Sequence, residues 1–89
     1  MNKVRFENRT SGGAGPVLIV DGLVYSAMSA PAPICEAFAA RAPRASLIAF
    51  ALWNDRNACV TDRQMKLEYG RVATDEELRE TVRAMLWDI

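Results

Sequence analysis

The sequence predicts a small α+β fold in which an antiparallel sheet of four to five strands carries two helices, residues 33–42 and 74–88, on one face. Three observations support this fold class. An alternating segment near the N-terminus indicates a strand, an Asp-Gly pair indicates a tight hairpin, and an amphipathic helix pattern ends the chain. The 89 residues, 51% apolar and 25% charged, have the composition of one globular domain over residues 1–89.

The first strand is predicted where apolar and charged residues alternate. Val4 and Phe6 point one way, and Arg5 and Glu7 point the other. This period of two is typical of a half-buried strand. The residues that follow, 8–16, are rich in Gly, Ser and Thr, so we expect them to form a loop.

A hairpin is predicted next. Two runs rich in β-branched and aromatic residues, 17–20 and 23–25, flank Asp21-Gly22. An Asp-Gly pair favours a type I′ turn, because this turn requires positive φ at both of its central residues. The sequence therefore predicts two antiparallel strands joined by a two-residue loop.

The first helix is predicted over residues 33–42. Pro33 can occupy the first turn of a helix, where its missing N–H is not needed, and Pro43 ends the segment. Ile34 and Phe38, four residues apart, share one face of this helix. We expect that face to pack on the sheet.

The middle of the chain is predicted to supply the remaining strands. Residues 47–53 form a continuous apolar run of strand length, although their alanines also allow a buried helix. Residues 58–61 are predicted to pair back as a strand. Segment 61–69 alternates as a strand does, and this is the preferred interpretation. Thr61 and Gln64 would also make a capping box for a short helix.

The last helix has the clearest signals. Thr74 is the predicted N-cap, and Glu77 stands at the reciprocal capping-box position. Acidic residues in the first turn favour the positive end of the helix dipole. The apolar residues at helical spacing are Leu78, Val82, Met85, Leu86 and Ile89.

No catalytic or metal-binding constellation is evident. The chain has no histidine, which removes Ser-His-Asp and Cys-His arrangements and the commonest metal ligand. Cys35 lies near a predicted helix start, where a thiolate would be stabilised, but no partner base is visible. We interpret Cys35 and Cys59 as small buried residues. The sequence therefore predicts no catalytic residue, no cofactor and no metal ion.

Charge is zero overall but unevenly distributed. Residues 41–71 carry a net charge of +3, and residues 72–89 carry a net charge of −3. These opposite patches could pair within the fold or between copies of it. The N-terminus is charged where a signal peptide would be apolar, and no apolar run approaches the roughly 20 residues of a membrane span. We therefore expect a cytoplasmic protein without membrane contact.

The leading functional hypothesis is a non-enzymatic protein-binding module. Arg outnumbers Lys nine to two, which suggests a bacterial or phage source. Because catalytic groups are missing, we expect by elimination a small accessory or inhibitor protein that covers a partner surface. Opposed charges and open sheet edges also make a homodimer plausible. On a helical wheel Trp87 falls opposite the apolar stripe, and a large exposed aromatic is typical of binding hot spots. The candidate partner-binding residues are Trp87, Arg83, Glu80, Arg63, Lys66 and Arg71.

Two further functions are kept as alternatives. The basic segment 41–71 could bind nucleic acid, with Trp53 and Tyr69 stacking on bases. A small enzyme or ligand-binding domain is the third hypothesis, and the absence of histidine counts against it.

Overall fold

The computed structural model describes residues 3–9, 15–55, 63, 66–67 and 70–87, and these form an α+β fold. The predicted class is confirmed, but the predicted four to five strands and two helices are wrong. The described residues instead form three strands and three helices of ten or more residues. In chain order these are β1 Val4–Arg9, β2 Gly15–Val20, β3 Leu23–Ser26, α1 Ala32–Arg41, α2 Arg44–Asn54 and α3 Asp75–Trp87.

The three strands form one antiparallel sheet in the order β1-β2-β3. The predicted hairpin is confirmed. Val20 pairs with Leu23 across a two-residue turn, and both turn residues have positive φ, 53° at Asp21 and 84° at Gly22. This is the backbone that a type I′ turn requires.

The strands β1 and β2 extend into the segment predicted as a loop. Asn8 pairs with Pro16, and Arg9 pairs with Gly15. Of the predicted loop 8–16, residues 10–14 lie outside the described residues. The ladder extends this far because register, once set by the buried pairs nearer the turn, continues along both strands.

The first helix begins one residue earlier than predicted. Pro31 is the N-cap, and Pro33 lies in the first turn, as expected for a residue without an N–H. The helix ends at Arg41. Ala42 is its C-cap residue, and the N–H of Ala42 donates to the carbonyl of Phe38 at 2.9 Å. Ala42 is extended because Pro43 follows it, and a residue before proline avoids helical geometry.

The strand predicted over residues 47–53 is wrong. These residues form the buried helix that was the alternative interpretation. Pro43 caps this helix, α2, directly after α1. The residues it buries most deeply are Leu47, Phe50 and Ala51, which repeat at intervals of three and four. A continuous apolar run does not distinguish a central strand from a buried helix, so only the packing decides.

The strand predicted over residues 61–69 is also wrong where the structure describes it. The backbone is helical at Arg63, Lys66 and Leu67, and the N–H of Gly70 donates to the carbonyl of Lys66 at 3.0 Å. This i to i−4 bond is the helical pattern. The strand predicted at 58–61 lies outside the described residues.

The last helix and its capping box are confirmed. The N–H of Glu77 donates to Thr74 Oγ1 at 3.1 Å, and the N–H of Thr74 donates to Glu77 Oε1 at 3.0 Å. Leu78, Val82 and Leu86 are buried, as the apolar stripe predicts. Ile89, the last residue of that stripe, lies outside the described residues.

The core lies between the sheet and the helices. Helices α1 and α2 pack on the sheet, and α3 packs on α1 and α2. Phe50 is at the centre, with ring centroids of Phe6 and Phe38 at 5.6 Å and of Trp53 at 5.8 Å. No helix in this part of the chain is long and apolar enough to cross a membrane.

Candidate protein-binding surface

The most exposed apolar side chains of the sheet lie along its β3 edge. Leu23 is 59% exposed and Val24 is 50% exposed, although both belong to a strand. Met28, in the turn that follows, is 66% exposed. We call these three residues the β3 patch. They follow one strand edge and the turn after it, and an exposed apolar edge strand is a site at which another chain can pair.

The backbone of this edge is also open. Antiparallel ladders alternate between residues bonded to the neighbouring strand and residues whose N–H and C=O point away from it. Leu23 is hydrogen-bonded to Val20 across the turn, and the N–H of Ala27 donates to the carbonyl of Pro16 at 3.0 Å. The odd-numbered residues therefore bond to β2. Val24 has an even number, so its N–H and C=O point away from β2. Neither group has a hydrogen-bond partner among the described residues.

The opposite edge of the sheet is protected by charge. On β1, Glu7 lies between Arg5 at 3.1 Å and Arg9 at 2.8 Å. The hydrogen bond from Arg9 lowers the pKa of the Glu7 carboxyl. Burial opposes this shift, and the charges of Arg5 and Arg9 lower the pKa by smaller amounts. Charged side chains on an edge strand disfavour pairing with another chain. The β3 strand has no charged residue.

Sequence reasoning did not single out the β3 patch. One signal for it was present, because the apolar run 23–25 contains no charge although it follows a tight turn. Interpreting that signal requires knowing whether another strand pairs with residues 23–25, which the sequence does not show. Residues 47–53 were expected to form a further, central strand of the sheet, and the structure shows them to be helical.

Two of the predicted partner-binding residues pair with each other on α3. Arg83 Nη1 lies 3.0 Å from Glu80 Oε1, and Arg83 Nε lies 3.3 Å from Glu36 Oε2 on α1. The ion pair between Arg83 and Glu36 joins α3 to α1. The helical wheel places Trp87 between Arg83 and Glu80. The backbone of α3 is helical as far as Trp87, but the side chain of Trp87 is not described.

A third candidate, Arg71, is bound to the N-terminal turn of α3. Its two terminal nitrogens donate to the carboxylate of Glu77 at 2.8 and 2.9 Å. The hydrogen bonds from Arg71 and from the N–H of Thr74 lower the pKa of Glu77 from 4.5 to about 2. Arg71 therefore reinforces the capping box.

The depressed pKa of Glu77 predicts a pH dependence. Stability from this carboxylate is complete above pH 4.5, its unperturbed pKa, and is lost as pH falls from there toward 2. Chemical denaturation of the wild type and of Glu77→Gln between pH 6 and pH 2.5 tests this, because the upper limit lies above the unperturbed pKa of 4.5 and the lower limit lies just above the folded pKa of about 2. We expect the difference between the two proteins to shrink as pH falls. A constant difference would contradict the assignment.

The other two candidates, Arg63 and Lys66, are exposed, and the backbone is helical at both positions. Neither makes an ion pair with a described residue. Leu67 beside them is 75% exposed. The structure thus brings Arg83 and Glu80 together, ties Arg71 to Glu77, and leaves Arg63 and Lys66 facing solvent.

Ion pairs join the basic segment 41–71 to the acidic segment 72–89 within the fold. Arg44 lies 2.9 Å from Asp75 and Arg71 lies 2.8 Å from Glu77, whereas Arg41 pairs with Asp21, outside both segments, at 3.3 Å. Arg44 also donates to the carbonyl of Ala73 at 2.7 Å. Of the two outcomes considered for these patches, pairing within the chain is observed.

Of the two aromatic residues considered for base stacking, Trp53 and Tyr69, the structure describes only Trp53. Trp53 packs against Phe6 with ring centroids 5.9 Å apart and is partly buried against the core. Tyr69 lies outside the described residues. The structure therefore uses Trp53 in packing.

Cys35 was predicted to be a small buried residue, but it is only partly buried, packed against the core. Its Sγ lies 3.6 Å from the carbonyl of Ala30, to which it donates. Burial raises the pKa of Cys35, and the charge of Glu36 raises it further. A raised pKa keeps the thiol protonated and disfavours nucleophilic chemistry. Cys59 is outside the described residues.

An open groove of about 370 Å³ lies between α1 and α3, lined by Ala40, Glu76, Arg79, Glu80 and Arg83. Arg79 Nη1 donates to the carbonyls of Ala39 and Ala42 at 3.1 and 2.9 Å. These carbonyls end α1 and lack helical partners, so Arg79 caps α1 from α3. Among the residues described, no cluster of His, Cys, Asp or Glu could hold a metal ion.

No family model matches the chain, and no curated protein or solved structure matches it either. The functional interpretation therefore depends on the geometry of the chain itself.

Proposed function

We propose that the protein is a non-enzymatic protein-binding module that docks through the β3 patch. The observation that carries this proposal is an edge strand that combines exposed apolar side chains with unpaired backbone groups at Val24. An edge of this kind recruits a further strand, because main-chain hydrogen bonds supply affinity and alternate side chains supply specificity.

The apolar residues of the patch support the same mode of binding. Leu23 and Val24 are neighbours in a strand, so they project from opposite faces of the sheet. An added strand would therefore shield apolar surface on both faces. Met28 extends the patch beyond the end of the strand, and its flexible side chain suits an adaptable contact.

The proposed role is that of a small cytoplasmic accessory or inhibitor protein of a bacterium or phage. It would act by covering a surface of its partner, with no reaction of its own. Trp87, Arg83 and Glu80 remain candidates for a second contact at the end of α3.

Nucleic-acid binding is the second candidate function, and one observation favours it. Arg63 and Lys66 are both exposed. Three other basic residues of segment 41–71 bind acidic groups of the same chain, namely Arg41, Arg44 and Arg71. Because affinity for nucleic acid grows with the number of phosphates neutralised, this leaves a weak footprint. Binding to DNA that falls steeply with salt would favour this alternative.

The proposed function predicts that partner capture depends on the β3 patch. Tagged wild-type protein and the double variant Leu23→Ser/Met28→Ser are used to capture proteins from the source cell. We expect a partner that the wild type retains and the patch variant loses, because the variant removes the apolar contacts but no buried side chain.

Ala49→Ser serves as the matched control, since Ala49 is exposed on α2 away from the patch. It should capture the same partner as the wild type. Equal capture by all three proteins would place the binding surface elsewhere.

A further inference from the structure

We infer that the partner of the β3 edge is a second copy of the chain. Two β3 strands pair antiparallel about a twofold axis at Val24, so that two three-stranded sheets become one continuous sheet of six strands. This inference rests on the proposed function, because it assigns the same edge to a specific partner.

The hydrogen-bonding pattern of the edge is self-complementary at this register. Only even-numbered positions of β3 direct their N–H and C=O outward, so an added antiparallel copy must match even positions with even positions. A twofold axis at the middle of Leu23–Ser26 would place Val24 opposite Tyr25 of the other copy, and this pairs an even position with an odd one. Placing Val24 opposite Val24 of the other copy uses one free N–H and one free C=O from each chain. The alternative match of Val24 with Ser26 is poorer, since the Ser26 carbonyl already accepts the N–H of Ser29 at 3.2 Å.

The side chains are also compatible with this register. Paired residues of a ladder share a face, so Leu23 lies opposite Tyr25 of the other copy, and Val24 lies opposite its own equivalent. No charged residue occurs between Gly22 and Ser26, so no like charges meet across the axis. The net charge of the chain is zero, so the copies have no overall repulsion to overcome.

The other edge of the sheet does not offer the same contact. On β1 the charged residues Arg5, Glu7 and Arg9 lie in a row, and α2 packs against this strand. Two copies joined there would place these charged rows close together. The contrast between the edges makes β3 the site of pairing.

The contact is small, so the dimer is reversible. Each copy contributes a strand of four residues and the side chain of Met28. Interfaces below about 1,200 Å² of total buried area belong to weak, transient complexes. We therefore expect a monomer–dimer equilibrium that responds to concentration. Salt should affect it little, because the contact is uncharged.

Sedimentation of the full chain tests the inference over concentrations from about 10 µM to about 1 mM, the range in which such weak contacts associate. The wild type should rise toward twice its monomer mass of 9.8 kDa. Val24→Pro and Val24→Lys should stay monomeric. Proline is tolerated where an edge N–H faces solvent, and lysine on an edge opposes pairing.

Ala49→Lys is the matched control, because it adds the same charge at an exposed position of α2. It should dimerise as the wild type does. Equal dimerisation by Val24→Lys would overturn the inference, and so would a wild type that stays monomeric throughout.

A cross-linking experiment covers the case in which an edge variant does not fold. Facing hydrogen-bonded residues have Cα atoms about 5.5 Å apart, which a disulfide can span. In a chain carrying Cys35→Ala and Cys59→Ala, the variant Val24→Cys should form a disulfide-linked dimer on mild oxidation, and Ala49→Cys should not. Absence of the Val24→Cys dimer would overturn the inference.

The proposed function and this inference fail in different ways. A monomeric wild type that still captures a partner through Leu23 and Met28 overturns self-pairing but supports a protein-binding edge. A wild type that neither dimerises nor captures a patch-dependent partner overturns both.

Discussion

Replacing Phe50 with Ala should lower the free energy of unfolding by about 3–5 kcal/mol, the usual cost of removing a buried aromatic side chain. Phe50 is fully buried on α2 and contacts aromatic rings from three directions. Its neighbours Phe6 and Phe38 come from β1 and α1, so the cavity would lie where these elements meet. Since small domains are stable by only about 5–15 kcal/mol, a large part of the stability of the fold would be lost.

Denaturant unfolding followed by Trp fluorescence measures this effect. Leu23→Ala is the control, because it also shortens an apolar side chain, but one that is exposed. Its cost should stay within about 0.5 kcal/mol, as for most surface substitutions. Equal effects of the two variants would contradict the central position of Phe50.

Replacing Gly22 with Val should cost about 1–3 kcal/mol, the usual range for forcing a residue into a disfavoured backbone conformation. Gly22 has φ of 84°, and a Cβ added there would meet no atom within 4 Å. The cost therefore comes from the backbone and not from a steric clash with neighbouring groups. A β-branched residue is among the least tolerant of this conformation.

Gly22→Asn is the matched control for the turn. Asn adopts positive φ more readily than other side chains, so it should lose less than half as much stability as Val. Thermal melting of the two variants beside the wild type makes the comparison. Identical melting temperatures for Val and the wild type would show that the hairpin does not need this backbone.

The local signals of the sequence correctly predicted the elements that depend on neighbouring residues. Asp21-Gly22 specifies the hairpin, because few residue pairs tolerate positive φ at two consecutive positions. Thr74 and Glu77 specify the start of α3, because each side chain satisfies a backbone N–H of the other residue. These interactions operate over two to four residues and need no tertiary partner.

The candidate site was predicted only in part. The sequence pointed to charged residues on α3 and in the middle of the chain, but several of these serve the fold. Arg71 supports the capping box through Glu77, and Arg83 joins α3 to α1 through Glu36. A charged residue has the same sequence signal whether it faces solvent or an acidic partner from a distant segment.

By itself, the sequence determined the α+β class, the hairpin, the first helix and the last helix of this protein. The tertiary structure alone decided that residues 44–54 form a helix and that β3 remains an edge strand. An apolar run such as 47–53 satisfies its backbone equally well as a strand or as a helix, so its conformation depends on what it packs against. Because this run packs as a helix against β1 and α3, it does not pair with the sheet. The apolar edge at Leu23 and Val24 is exposed for that reason.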